Sequence, residues 1–280
     1  MKTLVVYEPW RPRPLAWIHR GEARSVAAEL HAAGHDVALV CLRDDIARRT
    51  PAERLLLRLS DPTMHRATKA FAAAGVPYVG PAAAVMERCY DKFEAGRQVA
   101  AAGVHCPETV LADDAARIAP PRILKPRRGS DSIGVRLLGE HPVPSSRRND
   151  AHIVQAYVHG AELTVAVLRG EVGMPLRIEL PEGVPYSFLH KYLLRPARGP
   201  VGDAALAQRV RSIAAQASRV LGVDWAARID LMHESSSDRL VFLECDVAPL
   251  VSADSAFAAS LAAGGMARRR QLQMLLGEAS

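Results

Sequence analysis

Cysteine and aromatic residues are both scarce in this chain of 280 residues, and each shortage closes off a class of function. Cys41, Cys89, Cys106 and Cys245 lie far apart, with no pair at the spacing of zinc ligands, so neither a disulfide framework nor a structural metal knuckle is indicated. A reducing cytoplasm fits. Aromatics make up 5% of residues, too few to stack a run of bases, so the net charge of +6 is read as arginine dispersed on solvated faces, with no nucleic-acid partner. No apolar window approaches the about 18 residues of a membrane span. The opening run Thr3 to Tyr7 stops at Glu8 and Pro9, far short of a signal-peptide core. The expectation is a soluble, unprocessed, cytoplasmic protein without membrane contact. Internal repeats and low-complexity segments are also missing.

What is present is an apolar content of 49%, enough to bury a substantial core in two or three lobes. The first residues alternate strand and helix: TLVVY is a short buried strand, Gly21 to Ala33 has helical periodicity, and DVALVCL is a second strand after Gly34. A helical Met64 to Ala74, the breaker Gly75 and the strand PYVGP repeat the unit. A helix follows from Asp91 to Ala102. The short strands ETVLA, RILKP, GVRLL, HIVQAYV and ELTVAVL then predict a mainly antiparallel middle. The last part carries a long helix from Ala204 to Leu221, the strands WAARIDLMH and RLVFLECDV, and two terminal helices. The predicted fold is mixed α/β and α+β: a small open α/β lobe over 1–84, then two α+β lobes over 85–165 and 166–280.

The strands flanking ESSSD carry the clearest chemical signal, because side chains alternate faces along a strand. Arg228 and Asp230 share one face, Glu244 and Asp246 share another, and Ile229, Leu231, Leu243, Cys245 and Val247 are assigned to the apolar side. Across the hairpin Asp230 comes opposite or diagonal to Glu244 or Asp246, at about 5 to 8 Å between Cβ atoms. Facing like charges need full solvation or a cation. Spacing alone favours a solvated outer face; the hard-oxygen ligand set, suited to Mg²⁺ with substrate phosphates, and the adjacent Arg228 turn the reading towards a metal and phosphate site.

A second signal is the stretch from Lys125 to Val135, a lysine at a strand end followed by a turn bearing Gly129, Ser130, Asp131, Ser132 and Gly134. Glycines let backbone N–H groups approach phosphate oxygens, and the lysine adds a point charge. The order differs from a Walker A motif, whose lysine follows its glycines.

Taken in sequence, YVGP, DKF, AAAGV, LKPRRGSDSIGV, VQAYVHGAELTVAVL, HKY, ARIDLM and FLECDVAPLVSADS resemble the D-alanyl-D-alanine ligases of the ATP-grasp superfamily, from about Tyr78 to Gly265. The first 77 residues resemble that family only in pattern, and the lobe looks short. The resemblance implies that Lys125 and Lys191 contact the nucleotide phosphates beneath the loop bearing Ser130, Asp131 and Ser132. It places Glu162 on the ribose, and Gln155 with the hinge Tyr157 and Val158 at the adenine edge. It places Mg²⁺, two ions for which Mn²⁺ can substitute, on Asp230, Glu244 and Asp246. It gives catalytic roles to Arg228 on the acyl phosphate, to Lys191, and to Ser255 on the second substrate's carboxylate. Glu22 is matched to the acidic residue that holds the first substrate's ammonium.

Four positions depart from the family: Gln155 replaces a glutamate, Asp131 a serine, Asp246 an asparagine and Leu250 a glycine. With the short first lobe, these departures favour a ligase of a specialised, antibiotic-type pathway, one that closes an amide ring within one amino-acid-like substrate as cycloserine-forming relatives do. The alternatives are a D-alanyl-D-alanine-type dipeptide ligase of cell-wall synthesis, and a nucleotide-binding protein or small-molecule kinase that forms no amide. The implied partners are a small carboxylate substrate and an amine, on one molecule or two. A homodimer is also among the arrangements the family uses. Cys245 is read as a packed thiol behind the metal site.

Overall fold

The structure, a computed structural model, describes residues 1–9, 14–43, 53–130, 132–179 and 197–278. Strands β1 (Lys2–Tyr7), β2 (Val37–Cys41) and β3 (Glu53–Arg58) form a parallel sheet in the order β2-β1-β3, served by helices α1 (Pro14–Ala32) and α2 (Asp61–Ala73). Alternation along β1 divides the core: Leu4 and Val6 join Met64 and Phe71 of α2, whereas Val5 joins Ala23, Val26 and Leu30 of α1. Helix α1 begins at Pro14, well before Gly21, as suits a proline whose fixed φ and missing N–H cost nothing in a first turn. Strand β3 has no counterpart among the expected elements, and the expected strand PYVGP reduces to one parallel bridge between Leu56 and Val79. Helices α3 (Ala83–Tyr90) and α4 (Lys92–Ala101) lead to the middle lobe.

In that lobe β4 (Thr109–Leu111), β5 (Arg122–Pro126), β6 (Arg136–Gly139) and β7 (His152–Ala156) form an antiparallel sheet ordered β4-β7-β5-β6. It has a core of its own around Val110, Ile118, Leu124, Leu138 and Val154. The last lobe holds β8 (Gly160–Leu168), β9 (Glu171–Val172), β10 (Leu176–Ile178), β11 (Arg198–Pro200), α5 (Ala204–Leu221), β12 (Ala226–Glu234) and β13 (Leu240–Asp246). Its sheet runs β11-β10-β8-β12-β13, with β9 paired to β8. Helices α6 (Ala256–Ala263) and α7 (Arg268–Leu276) close the chain. Strand β8 passes through the expected boundary at 165/166, so the six-stranded sheet already starts at Gly160.

The first and last lobes share their cores. Leu163, Val165, Ile229 and Phe242 pack in one cluster with α5 and with Leu4 and Leu57, and Ala166, Trp225, Phe257 and Leu272 pack in another with α1 and Val5. The middle sheet stands apart, and a cleft opens between it and the six-stranded sheet. Among the described residues no helix is long and apolar enough to cross a membrane.

Candidate active site

The β12–β13 hairpin sets Arg228 opposite Asp246 and Asp230 opposite Glu244. Asp230, 4% exposed, accepts hydrogen bonds from Thr164 Oγ1 at 2.7 Å and from Arg228 Nε and Nη2, each at 3.0 Å. Arg228 Nη2 lies 3.5 Å from Asp246 Oδ2. Burial lowers the pKa of this guanidinium, but Asp230 and Asp246 outweigh it and hold the group well above its ordinary value. Arg228 is thus a fixed cation between two expected metal ligands. A bulge after Asp230 pairs Leu231 with Phe242 and skips Leu243. Leu243 therefore leaves the apolar face to which alternation assigns it and lines the cleft beside Glu244.

The cleft encloses a cavity of about 570 Å³. Lys125, Ser130, Ser132, Gln155, Tyr157, Val158, Glu162, Asp230 and Glu244, all expected site residues, line it. A cavity of about 30 Å³ adjoins it, lined by Arg228, Glu244 and Asp246, and the two share Lys92, Gly129, Ser130 and Glu244. A large chamber and a small one thus meet at Glu244.

Left-handed backbone shapes the loop between β5 and β6, with φ of +154° at Gly129, +58° at Ser132 and +80° at Gly134. A Cβ at Gly134 would come within 2.9 Å of Pro126, so glycine is required there twice over. Ser130 Oγ is buried without a hydrogen-bond partner among the described residues and lies where both cavities meet. Such a hydroxyl suits the oxygens of a phosphate.

Two residues that the motif reading passed over, Asp91 and Lys92, anchor this loop. Asp91, 4% exposed, caps α4 through Glu94 N and accepts from Arg127 Nε at 2.8 and 2.9 Å and from Arg128 Nη2 at 2.8 Å. The loop's two arginines are thereby bound to protein. Lys92 donates to Gly129 O and stands 3.6 Å from Glu244 Oε2. Their signal was DKF, which as a local pattern reads only as a helix start.

Gln155, which also lines the large cavity, is 5% exposed and donates from Nε2 to Thr109 Oγ1 at 3.0 Å, while its Oε1 has no partner among the described residues. A buried acceptor in that state fits an amino group such as adenine carries. Glu162 lies near enough to Tyr157 to raise that phenol's pKa, after burial, which is the larger cause.

Other expected residues fall elsewhere. Lys191 and Asp131 lie outside the described residues. Ser255 caps α6, accepting from Ala258 N at 3.1 Å, and lines neither cavity. Glu22 lines neither cavity and is engaged within the protein: Oε2 takes Arg58 Nε at 3.0 Å and Oε1 takes Val251 N at 2.9 Å. Arg58 also donates to Pro249 O, and both side chains are buried. The pair therefore holds the segment around Leu250, with one hydrogen bond on each carboxylate oxygen. Cys245 is buried as expected, and its thiol is held well above the usual range first by a hydrogen bond with Cys89 and then by burial. Among the described residues no three His, Cys, Asp or Glu side chains converge into a ready metal cage. An ion that takes part of its shell from phosphate oxygens and water needs none.

The model of the family described as D-ala D-ala ligase C-terminus matches residues 101–277. The D-alanine–D-alanine ligase of Stutzerimonas stutzeri is 28% identical over 238 residues, 76% of this chain and 74% of that protein. The D-alanine–D-alanine ligase of Pseudomonas putida is 26% identical over 278 residues, 91% of this chain and 86% of that one. In fold, the chain is similar to the D-alanine–D-alanine ligase of Bacillus anthracis solved with ATP, with a TM-score of 0.82, 17% identity, and coverage of 99% of this chain and 96% of the other. The VanG D-Ala:D-Ser ligase of Enterococcus faecalis gives a TM-score of 0.79 at 17% identity, covering 99% and 98%. These likenesses take in the N-terminal lobe, which resembles the family's only in pattern when read from sequence. The chain belongs to the D-Ala–D-Ala ligase family, and so to the ATP-grasp ligases that form carbon–nitrogen bonds with release of ADP.

Proposed function

We propose that this protein joins two small amino acids, activating the carboxylate of the first as an acyl phosphate and passing it to the amine of the second, with D-alanine the foremost candidate for both. The observation that carries this reading is the junction of the two cavities at Lys92, Ser130 and Glu244, with Arg228 fixed behind it. The larger chamber suits a nucleotide and the smaller one the group that receives its phosphate. The names of the relatives favour the dipeptide-forming alternative over ring closure in a specialised pathway. One reason for the latter, a short first lobe, loses its force because the likeness to the Bacillus anthracis ligase covers 96% of that chain.

Bound ATP with Mg²⁺ would supply the phosphoryl group and offset its charge. Asp230, Glu244 and Asp246 are the oxygen donors suited to the ion, Mn²⁺ included. Lys125, Lys92 and Ser130 would bind phosphate oxygens, Glu162 the ribose, and Gln155 with Tyr157 and Val158 the base. Arg228 would face the activated carboxyl and stabilise the oxyanion that forms when the amine attacks, a preorganised contribution worth about 3 kcal/mol. The loop from Gly129 to Gly134 would exclude water, which otherwise hydrolyses the acyl phosphate. The test is ADP release with Mg²⁺ and ATP on D-alanine, D-serine and amino-acid analogues able to cyclise, with products identified by mass. Dipeptide from D-alanine supports this reading; a cyclised product with no dipeptide overturns it.

A further inference from the structure

Thr109 and Gln155 are direct cross-strand partners on β4 and β7. Thr109 Oγ1 is 2.8 Å from Pro107 O, and a carbonyl can only accept, so the hydroxyl's single proton is committed there. What Thr109 has left for Gln155 is lone pairs. The side-chain amide must then turn its NH₂ towards Thr109, at 3.0 Å, and its oxygen the other way. That oxygen is the buried, unpartnered Oε1 of a residue that lines the large cavity.

We propose that Thr109 is a positioning residue that sets the choice of nucleotide base by fixing the orientation of the Gln155 amide. An amide, unlike a carboxylate, can present either an acceptor or a donor to a ligand. At this site the neighbouring hydroxyl decides which. With Oε1 left as the free acceptor of a side chain that lines the cavity, the site takes a base carrying an exocyclic amino group, as adenine does. It opposes a base with a carbonyl at that position, as in guanine or hypoxanthine, because two lone pairs would face each other without a proton between them. A buried acceptor left unpaired weakens binding by about five- to 150-fold, enough to discriminate between such bases. The inference rests on the reading that the base lies beside Gln155.

The experiment compares ATP with inosine triphosphate, as nucleotide affinity and kcat/KM, in the wild type and in Thr109→Val, Thr109→Ser and Gln155→Leu. Valine keeps the volume and removes the hydroxyl, so the amide can turn; serine keeps the hydroxyl. The expected result is a preference for ATP that falls by about tenfold or more in Thr109→Val, through KM more than kcat, and is retained in Thr109→Ser. A ratio unchanged within about twofold in Thr109→Val, with ATP binding weakened in Gln155→Leu, overturns the role of Thr109 and leaves the base site standing. Unchanged binding of both nucleotides in Gln155→Leu overturns the base site itself, and this inference with it.

Discussion

Glu22 and Arg58 meet at 3.0 Å with side chains 3% and 0% exposed, and together they hold the backbone on both sides of Leu250. Removing one partner leaves a buried charge uncompensated, which costs about 3–5 kcal/mol. Glu22→Gln and Arg58→Met should each lose stability on that scale in denaturant unfolding, and the double variant should lose less than the sum. Additive losses, or single losses within about 0.5 kcal/mol of zero, would show that the pair is not coupled.

Asp91 ties down Arg127 and Arg128 and so fixes where the loop after β5 begins. Asp91→Asn keeps the shape but removes the charge that both arginines share. KM for ATP should rise about tenfold, and trypsin should cut faster at the released arginines. Unaltered cleavage and KM would mean the loop is anchored by other contacts.

Glu244 lines both cavities, so under the proposed function its carboxylate would serve the nucleotide side and the activated carboxyl together. Glu244→Gln should lower amide formation by about 100-fold or more while thermal unfolding stays near that of the wild type. Product formation within about threefold of the wild type would remove Glu244 from the reaction.

His152 gives a pH dependence whose sign can be worked out. Arg147 can only donate, so His152 Nε2 accepts from it at 2.9 Å and the Nδ1 proton goes to Asn149 Oδ1 at 2.7 Å. Burial and then Arg147 hold the imidazole below its ordinary pKa, so the folded protein prefers it neutral. Its contribution is present above the unfolded value, about 6.5, and is lost as pH falls through that value towards the folded one. Wild type should lose more melting temperature between about pH 7.5 and about pH 5 than His152→Gln does; equal losses would assign the acid sensitivity to other groups.

The hairpin was legible because alternation is reliable over short, half-buried strands; it brings Asp230 opposite or diagonal to Glu244 or Asp246, and the structure pairs it with Glu244. Alternation puts Leu243 on the wrong face because a bulge leaves no mark in the pattern. Strand β3, ERLLLR, has no clear sequence signal because a three-leucine run between charges fits a helix as readily as a strand. Glu22 reads as a free carboxylate until Arg58, 36 positions away in sequence, is seen beside it. Asp91 and Lys92 lacked a local signal for the same reason, since their partners lie beyond α4 in the loop and in β13. The turn after β5 was legible from composition, because its glycines mark the left-handed backbone found at Gly129 and Gly134.

The most direct test of the account follows an oxygen atom. D-alanine labelled with ¹⁸O in its carboxylate is supplied with ATP and Mg²⁺, and the phosphate released is weighed by mass spectrometry. If the carboxylate is activated as an acyl phosphate, one labelled oxygen moves into phosphate for each peptide bond made; dipeptide accompanied by unlabelled phosphate would contradict it.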